Sequence, residues 1–156
     1  MDNILSNIEK IHIKTLKQEL AASPYKLYLG IYDDTDTMVG WSWGLQENAT
    51  TFYIVNSAIL PAHRRKGCYS LLIQEMIKIL SDKGFQLIYS RHNTTNNAVI
   101  IPKLKTGFII SKMEIDDRFG ALIHLHYYTN KTRQKIVDYR AGQLQPDDEI
   151  KKLFKL

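Results

Sequence analysis

The chain contains little of what stabilises secreted or membrane proteins. It has one cysteine, Cys68, among 156 residues. A single cysteine excludes an intramolecular disulfide, and no apolar stretch reaches the roughly 18 residues that a transmembrane helix needs. The N-terminus also lacks the basic start and apolar segment of a secretory leader. We therefore expect a cytoplasmic protein that does not associate with membranes.

Proline and glycine are also sparse, with four and eight residues, and no repeat or low-complexity segment interrupts the chain. Hydrophobic residues make up 44% and charged residues 24%, as in ordinary globular domains. At this length the whole chain, residues 1–156, is predicted to form a single domain with a sizeable core. The formal net charge of +5 suits a polyanionic ligand, and it would also suit an RNA or ribosome surface.

The apolar spacing along the chain changes between helical and strand periods. Helical spacing is found over residues 5–22, 68–82, 97–105, 130–141 and 147–154. Strand patterns cover residues 25–32, 38–45, 52–60, 87–91, 108–115 and 121–128. Because a crossover helix connects them, strands 52–60 and 87–91 are predicted to be parallel. The order predicts an α/β fold, a mixed and mostly antiparallel sheet with helices on both faces and a C-terminal helical extension over about 130–156.

One segment combines a strand end, a basic loop and a helix start. The run Arg64-Arg65-Lys66-Gly67 follows the strand that ends near Leu60 and precedes the apolar-periodic helix. The first N–H groups of a helix have no intrahelical acceptor, and the helix dipole makes that end positive. A glycine lets the backbone approach a ligand closely. This segment therefore predicts a pyrophosphate-binding loop, although neither GxxxxGK[ST] nor GxGxxG is present.

The loop resembles a known motif, and a second motif follows at the expected distance. Arg64-Arg65-Lys66-Gly67-Cys68-Tyr69 resembles the Q/R-x-x-G-x-G/A motif of the GCN5-related N-acetyltransferases (GNAT), except that Tyr69 stands where that family favours Gly or Ala. Residues 96–108, which open with Asn96 and end with Gly107-Phe108, resemble the later helix motif of the same family. Together the two matches cover about residues 50–128.

The resemblance implies acetyl-CoA as the co-substrate and assigns residues to it. In that family the two central parallel strands splay apart and admit the pantetheine arm, here between strands 52–60 and 87–91. The N–H of Ile59 would face the thioester carbonyl as an oxyanion donor, and Asn96 would bind the pantetheine arm. The pyrophosphate would be held by Arg64 and by the N–H groups of the residues that follow it: Arg65, Lys66, Gly67, Cys68, Tyr69 and Ser70.

The resemblance leaves the general acid open. Many family members have a tyrosine on the second helix at the position of Lys103, which follows Pro102. A lysine can protonate a thiolate only if it points inward, and the sequence favours a solvated helix lysine. Tyr89, Tyr127 and Tyr128 are the other candidates, and for each a packed tyrosine is the simpler interpretation.

The general base is also open among several residues. Glu47 precedes the third strand, Asn56 lies on it, and His92 ends the fourth. His124 and His126 share one face of the last strand. A metal site there would need a third ligand, so we predict no metal. Tyr25, Tyr28, Trp41 and Trp43 could line an acceptor cleft or fill the core.

These residues lead to three hypotheses. The first is an N-acetyltransferase that moves an acetyl group from acetyl-CoA directly to a primary amine of a small molecule or peptide, within a ternary complex. Cys68 could instead carry the acetyl group, but a packing role is the simpler prediction. The second hypothesis is a non-catalytic acyl-CoA-binding or regulatory module, and the third, disfavoured, is a nucleic-acid-binding module. A homodimer is compatible with each.

Overall fold

The computed structural model describes residues 5–156, so residues 1–4 of the predicted domain lie outside the described residues. Five α-helices are present in the described chain: α1 (Asn7–Ala22), α2 (Cys68–Lys83), α3 (Asn97–Thr106), α4 (Lys131–Arg140) and α5 (Asp148–Phe154). The strands are β1 (Lys26–Tyr32), β2 (Met38–Gln46), β3 (Thr51–Ile59), β4 (Leu87–Asn93), β5 (Ile109–Asp116) and β6 (Gly120–Tyr128). A short 3-10 turn, Pro61–His63, joins β3 to the basic loop.

The ends of the helices follow from local chemistry. Ser6 and Glu9 form a reciprocal capping box at the start of α1. Helix α2 begins after Gly67 and ends at Gly84, both in the left-handed conformation, with φ of 81° and 98°. Every predicted helix is therefore confirmed, with bounds shifted by one or two residues.

The strands form one mixed sheet in the order β1-β2-β3-β4-β6-β5. All neighbours are antiparallel except β3 and β4, which are parallel as predicted. These two strands pair only over three residue pairs, the last of which is Tyr53 with Tyr89. They then separate, which confirms the predicted splay. Strand β4 continues to Asn93, two residues beyond the predicted end, because it still pairs there with Leu122 of β6.

One face of the sheet carries the main hydrophobic core. Helices α1, α2 and α3 all contribute to it, through Leu16, Met76 and Ile100, against the inward side chains Phe52 and Ile88. Burying apolar side chains of this size stabilises the fold by about 1.5–3 kcal/mol each. Helices α2 and α3 therefore lie on the same side of the splayed strands.

The opposite face, which we call the second face, is rich in aromatic side chains. Tyr28 stacks on Trp43 with 5.6 Å between ring centroids, and Tyr53 stacks on Tyr89 at 4.9 Å. Tyr28 is 65% exposed, so none of the described helices covers the β1–β2 end of this face. Helix α4 contacts β6, and its Arg133 lies over the ring of Tyr128.

The predicted C-terminal extension is helical, and its two helices are tied together by charge. Lys135 of α4 forms ion pairs with Asp147 and Glu149 at the start of α5. Ile150 of α5 is fully buried, so the extension packs as part of the fold. None of the described helices is long and apolar enough to cross a membrane.

Candidate active site

The two sequence motifs line a single cleft of about 780 Å³ at the open end of the splay. One wall is formed by the end of β3, with Ser57 and Ile59, and by the basic loop with Arg64 and Arg65. The other wall is the start of α3, where Asn96 precedes the helix. The structure therefore brings together residues that lie more than 30 positions apart in the sequence.

The basic loop presents bare backbone to this cleft. Arg65 and Gly67 have positive φ of 59° and 81°, which turns successive peptide groups toward the same side. No side chain or backbone oxygen of the described chain accepts from the N–H groups of residues 66–70, and the first intrahelical bond runs from Leu71 to Gly67. The first turn of α2 carries no acidic residue. An anion placed here would meet unpaired donors and no like charge.

Space in front of the loop is also open. A Cβ at Gly67 would meet no atom of the described residues within 4 Å, so these residues do not fill the space in front of the loop. Tyr69, which departs from the family motif, packs its ring against the core beneath the loop. Burial raises the pKa of the Tyr69 hydroxyl, which has no hydrogen-bond partner among residues 5–156. The departure at Tyr69 therefore does not block the cleft.

Arg64 acts on the strand end as well as on the cleft. Its Nε donates a 2.9 Å hydrogen bond to the Ile59 carbonyl, at the last residue of β3. The guanidinium has further donors left for a ligand. Arg64 thus fixes the loop relative to the splayed strand.

The N–H of Ile59 points into the splay. The next N–H along the chain, that of Leu60, donates to Val39 of β2 at 2.9 Å. Successive N–H groups of a strand point to opposite sides, so the Ile59 N–H faces the β4 side, where no described strand pairs with β3 beyond Tyr53. An unpaired strand donor at this place suits an oxyanion or an amide of a bound ligand.

Lys103 is buried, and the expectation of a solvated helix lysine is wrong. Its side chain is 0% exposed, although Pro102 lies just before it within α3. The Nζ donates to Ser90 Oγ at 2.5 Å, lies 3.4 Å from His92 Nε2, and sits 4.9 Å from the centre of the Phe108 ring. Burial lowers the Lys103 pKa to about 7.

The importance of Ser90 was missed in the sequence, and His92 was noted only as a possible base. Both residues alternate with Tyr89 and Arg91, on the same side of β4 as the core residue Ile88. Two polar residues, Ser90 and His92, that alternate along a strand on the same side as the buried Ile88 indicate a polar cluster inside the protein. Burial, followed by the nearby charge of Lys103, lowers the His92 pKa to about 3.

Tyr89 and Tyr128 lie on the second face, away from Lys103. The Tyr89 hydroxyl donates to Glu47 Oε1 at 2.6 Å, and burial followed by this bond raises its pKa. Tyr128 pairs with Leu87, at the end of β4 opposite to the splay. The remaining candidates on this face already have partners. His124 contacts Glu114, Asn56 accepts from Trp41, and His126 Nδ1 lies 3.5 Å from the Tyr128 hydroxyl. Of the four aromatic residues with an open role, only Tyr25 packs against the core described above.

The sequence matches the model of the Acetyltransferase (GNAT) family over residues 5–108. This match spans about two thirds of the chain and includes the basic loop and both walls of the cleft. The chain belongs to the GNAT acetyltransferase family. No curated protein matches the sequence significantly.

Solved structures share the fold at low sequence identity. The ribosomal-protein-S18-alanine N-acetyltransferase from Escherichia coli matches with a TM-score of 0.60 and 14% identity, over 81% of this chain and 91% of its own. An acetyltransferase from Bacillus cereus ATCC 14579 matches with a TM-score of 0.58 and 16% identity, over 80% and 94%. The PaiA N-acetyltransferase from Thermoplasma acidophilum, solved with coenzyme A, matches with a TM-score of 0.55 and 20% identity, over 70% of this chain and 65% of its own.

Proposed function

We propose that the protein is an acetyl-CoA-dependent N-acetyltransferase that moves the acetyl group directly to a primary amine. The observation that carries this proposal is the set of unpaired N–H groups at the start of α2, which open on the same cleft as the Ile59 N–H. Family membership supports the reaction class, and the cleft supports the donor.

The residues of the cleft fit acetyl-CoA. The N–H groups of residues 65–70 and the side chain of Arg64 would hold the pyrophosphate. Asn96, exposed at the start of α3, would hydrogen-bond the pantetheine arm. The Ile59 N–H would stabilise the negative charge that develops on the thioester oxygen. Acetyl-CoA supplies the activated acyl group.

Two proton transfers accompany the reaction. The acceptor amine must be neutral before it attacks, and Glu47 is the base we assign, since its hydrogen bond to Tyr89 holds it beside the last paired residues of the splayed strands. The leaving thiolate takes a proton from Lys103, which stands where family members commonly have a tyrosine. A pKa of about 7 suits a general acid at neutral pH. The position of Tyr128 favours a packing role.

The alternative is a non-catalytic acyl-CoA-binding module. The observation in its favour is that Lys103 has no exposed surface, so the proton donor does not reach the cleft unless it moves. Both functions predict cofactor binding, and only the enzyme predicts product.

The test measures binding and turnover separately. Mass spectrometry of the purified protein, together with a thermal shift on adding acetyl-CoA, reports the donor site. Release of free CoA thiol with spermidine or with an alanine-initiated peptide reports transfer, with acetylated product confirmed by mass. Binding without product from a broad amine panel would favour the non-catalytic module. Absence of binding, or affinity for RNA that falls steeply with salt, would count against both.

A further inference from the structure

A buried polar cluster of Lys103, Ser90 and His92 joins α3 to the splayed strand β4. We propose that Ser90 and His92 are positioning residues: Ser90 is the neutral acceptor that holds the Lys103 ammonium, His92 orients the Ser90 hydroxyl, and an N–H of Lys103 is left for the departing sulfur. This inference rests on the proposed function, and it concerns side chains that the family motifs do not include.

The donor count supports this arrangement. A lysine ammonium has three N–H donors and no acceptor. Ser90 Oγ takes one donor at 2.5 Å, and His92 Nε2 lies at 3.4 Å from Nζ, at the limit of a hydrogen bond. Nε2 of a neutral imidazole has a single lone pair to share between its neighbours. Among the described residues no other protein group accepts from Nζ, so at least one N–H is left without an acceptor.

The hydrogen bonds also define the state of His92. Ser90 Oγ accepts from Lys103, so its own O–H is free to donate to His92 Nε2, which is 2.8 Å away. We assign His92 Nε2 as the unprotonated nitrogen on this hydrogen-bond pattern, and the ring is neutral because burial, followed by the charge of Lys103, lowers its pKa to about 3. Hydrogen bonds in the cluster are therefore donated in one direction, from the Lys103 ammonium to the Ser90 hydroxyl and from that hydroxyl to the neutral imidazole.

The neutrality of Ser90 and His92 has a chemical consequence. A carboxylate beside Lys103 would stabilise the ammonium and raise its pKa. No carboxylate of the described chain forms an ion pair with Lys103, and His92 is the titratable side chain that contacts it. Ser90 and His92 thus orient the ammonium without removing its ability to give up a proton at neutral pH.

A purely structural role does not explain these residues. A lysine is almost never fully buried unless it is paired, and burying its charge is costly. An apolar residue at position 103 would pack beside Phe108 without that cost. In the step we propose, the Lys103 side chain moves to reach the cleft, one of its N–H bonds breaks and an S–H bond forms, which leaves a neutral amine and free CoA thiol. The amine regains its proton from solvent between turnovers.

The test follows the Lys103 proton directly. In protein with ¹³C-labelled lysine side chains, the Lys103 resonance is assigned with the Lys103→Met variant and titrated by NMR. Ser90→Ala removes an acceptor of the charged form and should lower the Lys103 pKa. Ser90→Asp should raise it by about 1–3 units, and Ser90→Thr should keep it. Ser81→Ala, at an exposed position on α2, is the matched control and should leave it unchanged.

Activity provides the second readout. The rate of CoA release with acetyl-CoA and the best amine of the panel should fall as pH rises through the Lys103 pKa, since the acid must be protonated. This alkaline limb should move to lower pH in Ser90→Ala and to higher pH in Ser90→Asp, in step with the NMR titration. His92→Leu should reduce kcat about tenfold or more with little change in KM for acetyl-CoA, and His92→Gln, which keeps an acceptor, should recover part of the loss.

Two failures are distinguishable. Normal turnover with an alkaline limb that neither Ser90 substitution moves would overturn the positioning role and leave the enzyme in place. A wild-type protein with the expected Lys103 titration that acetylates none of the amines would overturn the proposed function, and with it the role toward sulfur.

Discussion

Arg64 Nε donates a hydrogen bond to the Ile59 carbonyl at 2.9 Å, so the loop that would bind phosphate is attached to the strand that would bind the thioester. The carbonyl and the N–H of one strand residue point to the same side. The bond therefore places the Arg64 guanidinium beside the splay into which the Ile59 N–H points. A change at Arg64 should affect both the charge of the loop and the position of this strand end.

Charge reversal at Arg64 should abolish most of the thermal stabilisation by acetyl-CoA. The Arg64→Glu substitution removes a donor and puts a negative charge beside the unpaired N–H groups of α2. Differential scanning fluorimetry with a CoA titration measures the effect. The control is Lys152→Glu, an exposed position on α5 with the same change in net charge, which should keep the full shift. An unchanged shift in Arg64→Glu would place the cofactor elsewhere.

Gly67→Val should weaken cofactor binding by more than the loss of folding stability alone can explain. Gly67 has a φ of 81° with open space around it, and Gly120 has a φ of 72° with the same openness. Valine at either position costs about 1–3 kcal/mol, because a β-branched residue is strained there. At Gly67 alone the side chain would also enter the phosphate cradle. Isothermal titration with CoA should separate the two variants, and equal affinities would contradict the assignment.

Direct transfer predicts a ternary complex and no acetyl-enzyme. Initial rates measured while both substrates are varied should give intersecting lines, and Cys68→Ala should retain a substantial part of the activity. Cys68 lines the cleft at the first position of α2, so it is the side chain to exclude. Parallel lines together with an acetylated Cys68 in the mass spectrum would establish a covalent intermediate instead.

Most of the fold could be predicted from the sequence because its signals are local. The apolar period distinguishes strands from helices. The turn residues before Gly120 predict a hairpin, and the crossover helix α2 makes β3 and β4 parallel. The splay followed from the family resemblance, and the structure shows it as the loss of pairing after Tyr53. The meeting of Arg64 and Asn96 in one cleft follows from the same topology.

The inward direction of Lys103 could not be predicted, because it depends on packing rather than on pattern. Lysine is rarely buried, and the proline before it could have turned the helix. The contact of Lys103 with Ser90 joins two elements, and only the register of α3 over β4 shows it. The aromatic second face was ambiguous for the same reason, since the sequence gives no sign of which sheet face helices cover.

Lys103→Met should lower turnover by about 10²–10⁴-fold with little change in acetyl-CoA affinity, as expected for loss of a general acid. Tyr128→Phe should leave kcat within a few-fold, because Tyr128 lies at the end of β4 opposite to the splay. Tyr89→Phe removes the hydroxyl that donates to Glu47 and should have an intermediate effect. Steady-state kinetics on the three variants measures kcat for each and so ranks their losses of turnover. If Lys103→Met keeps full activity and Tyr89→Phe loses it, the general acid is Tyr89 on the second face and not Lys103.

The buried Lys103 should also change how the free energy of unfolding depends on pH, and this effect can be measured without an activity assay. The Lys103 pKa is lowered by burial from 10.5 to about 7 in the folded protein, whereas an unfolded lysine keeps its ordinary value. Between these values the unfolded chain binds more protons, so this group makes the folded state more stable as pH rises from about 7 toward 10.5. The slope is at most about 1.4 kcal/mol per pH unit.

Urea unfolding of wild-type protein and Lys103→Met at pH 7 and pH 9 measures this contribution. The variant should lack the increase, so the difference between the two proteins should change by about 2–3 kcal/mol over that interval. His92, whose pKa is lowered to about 3 by burial, loses its contribution as pH falls below its ordinary value of 6.5, outside this window. A difference between the two proteins that stays constant from pH 7 to pH 9 would mean that Lys103 keeps an ordinary pKa, and it would remove the match to neutral pH that supports its assignment as the acid.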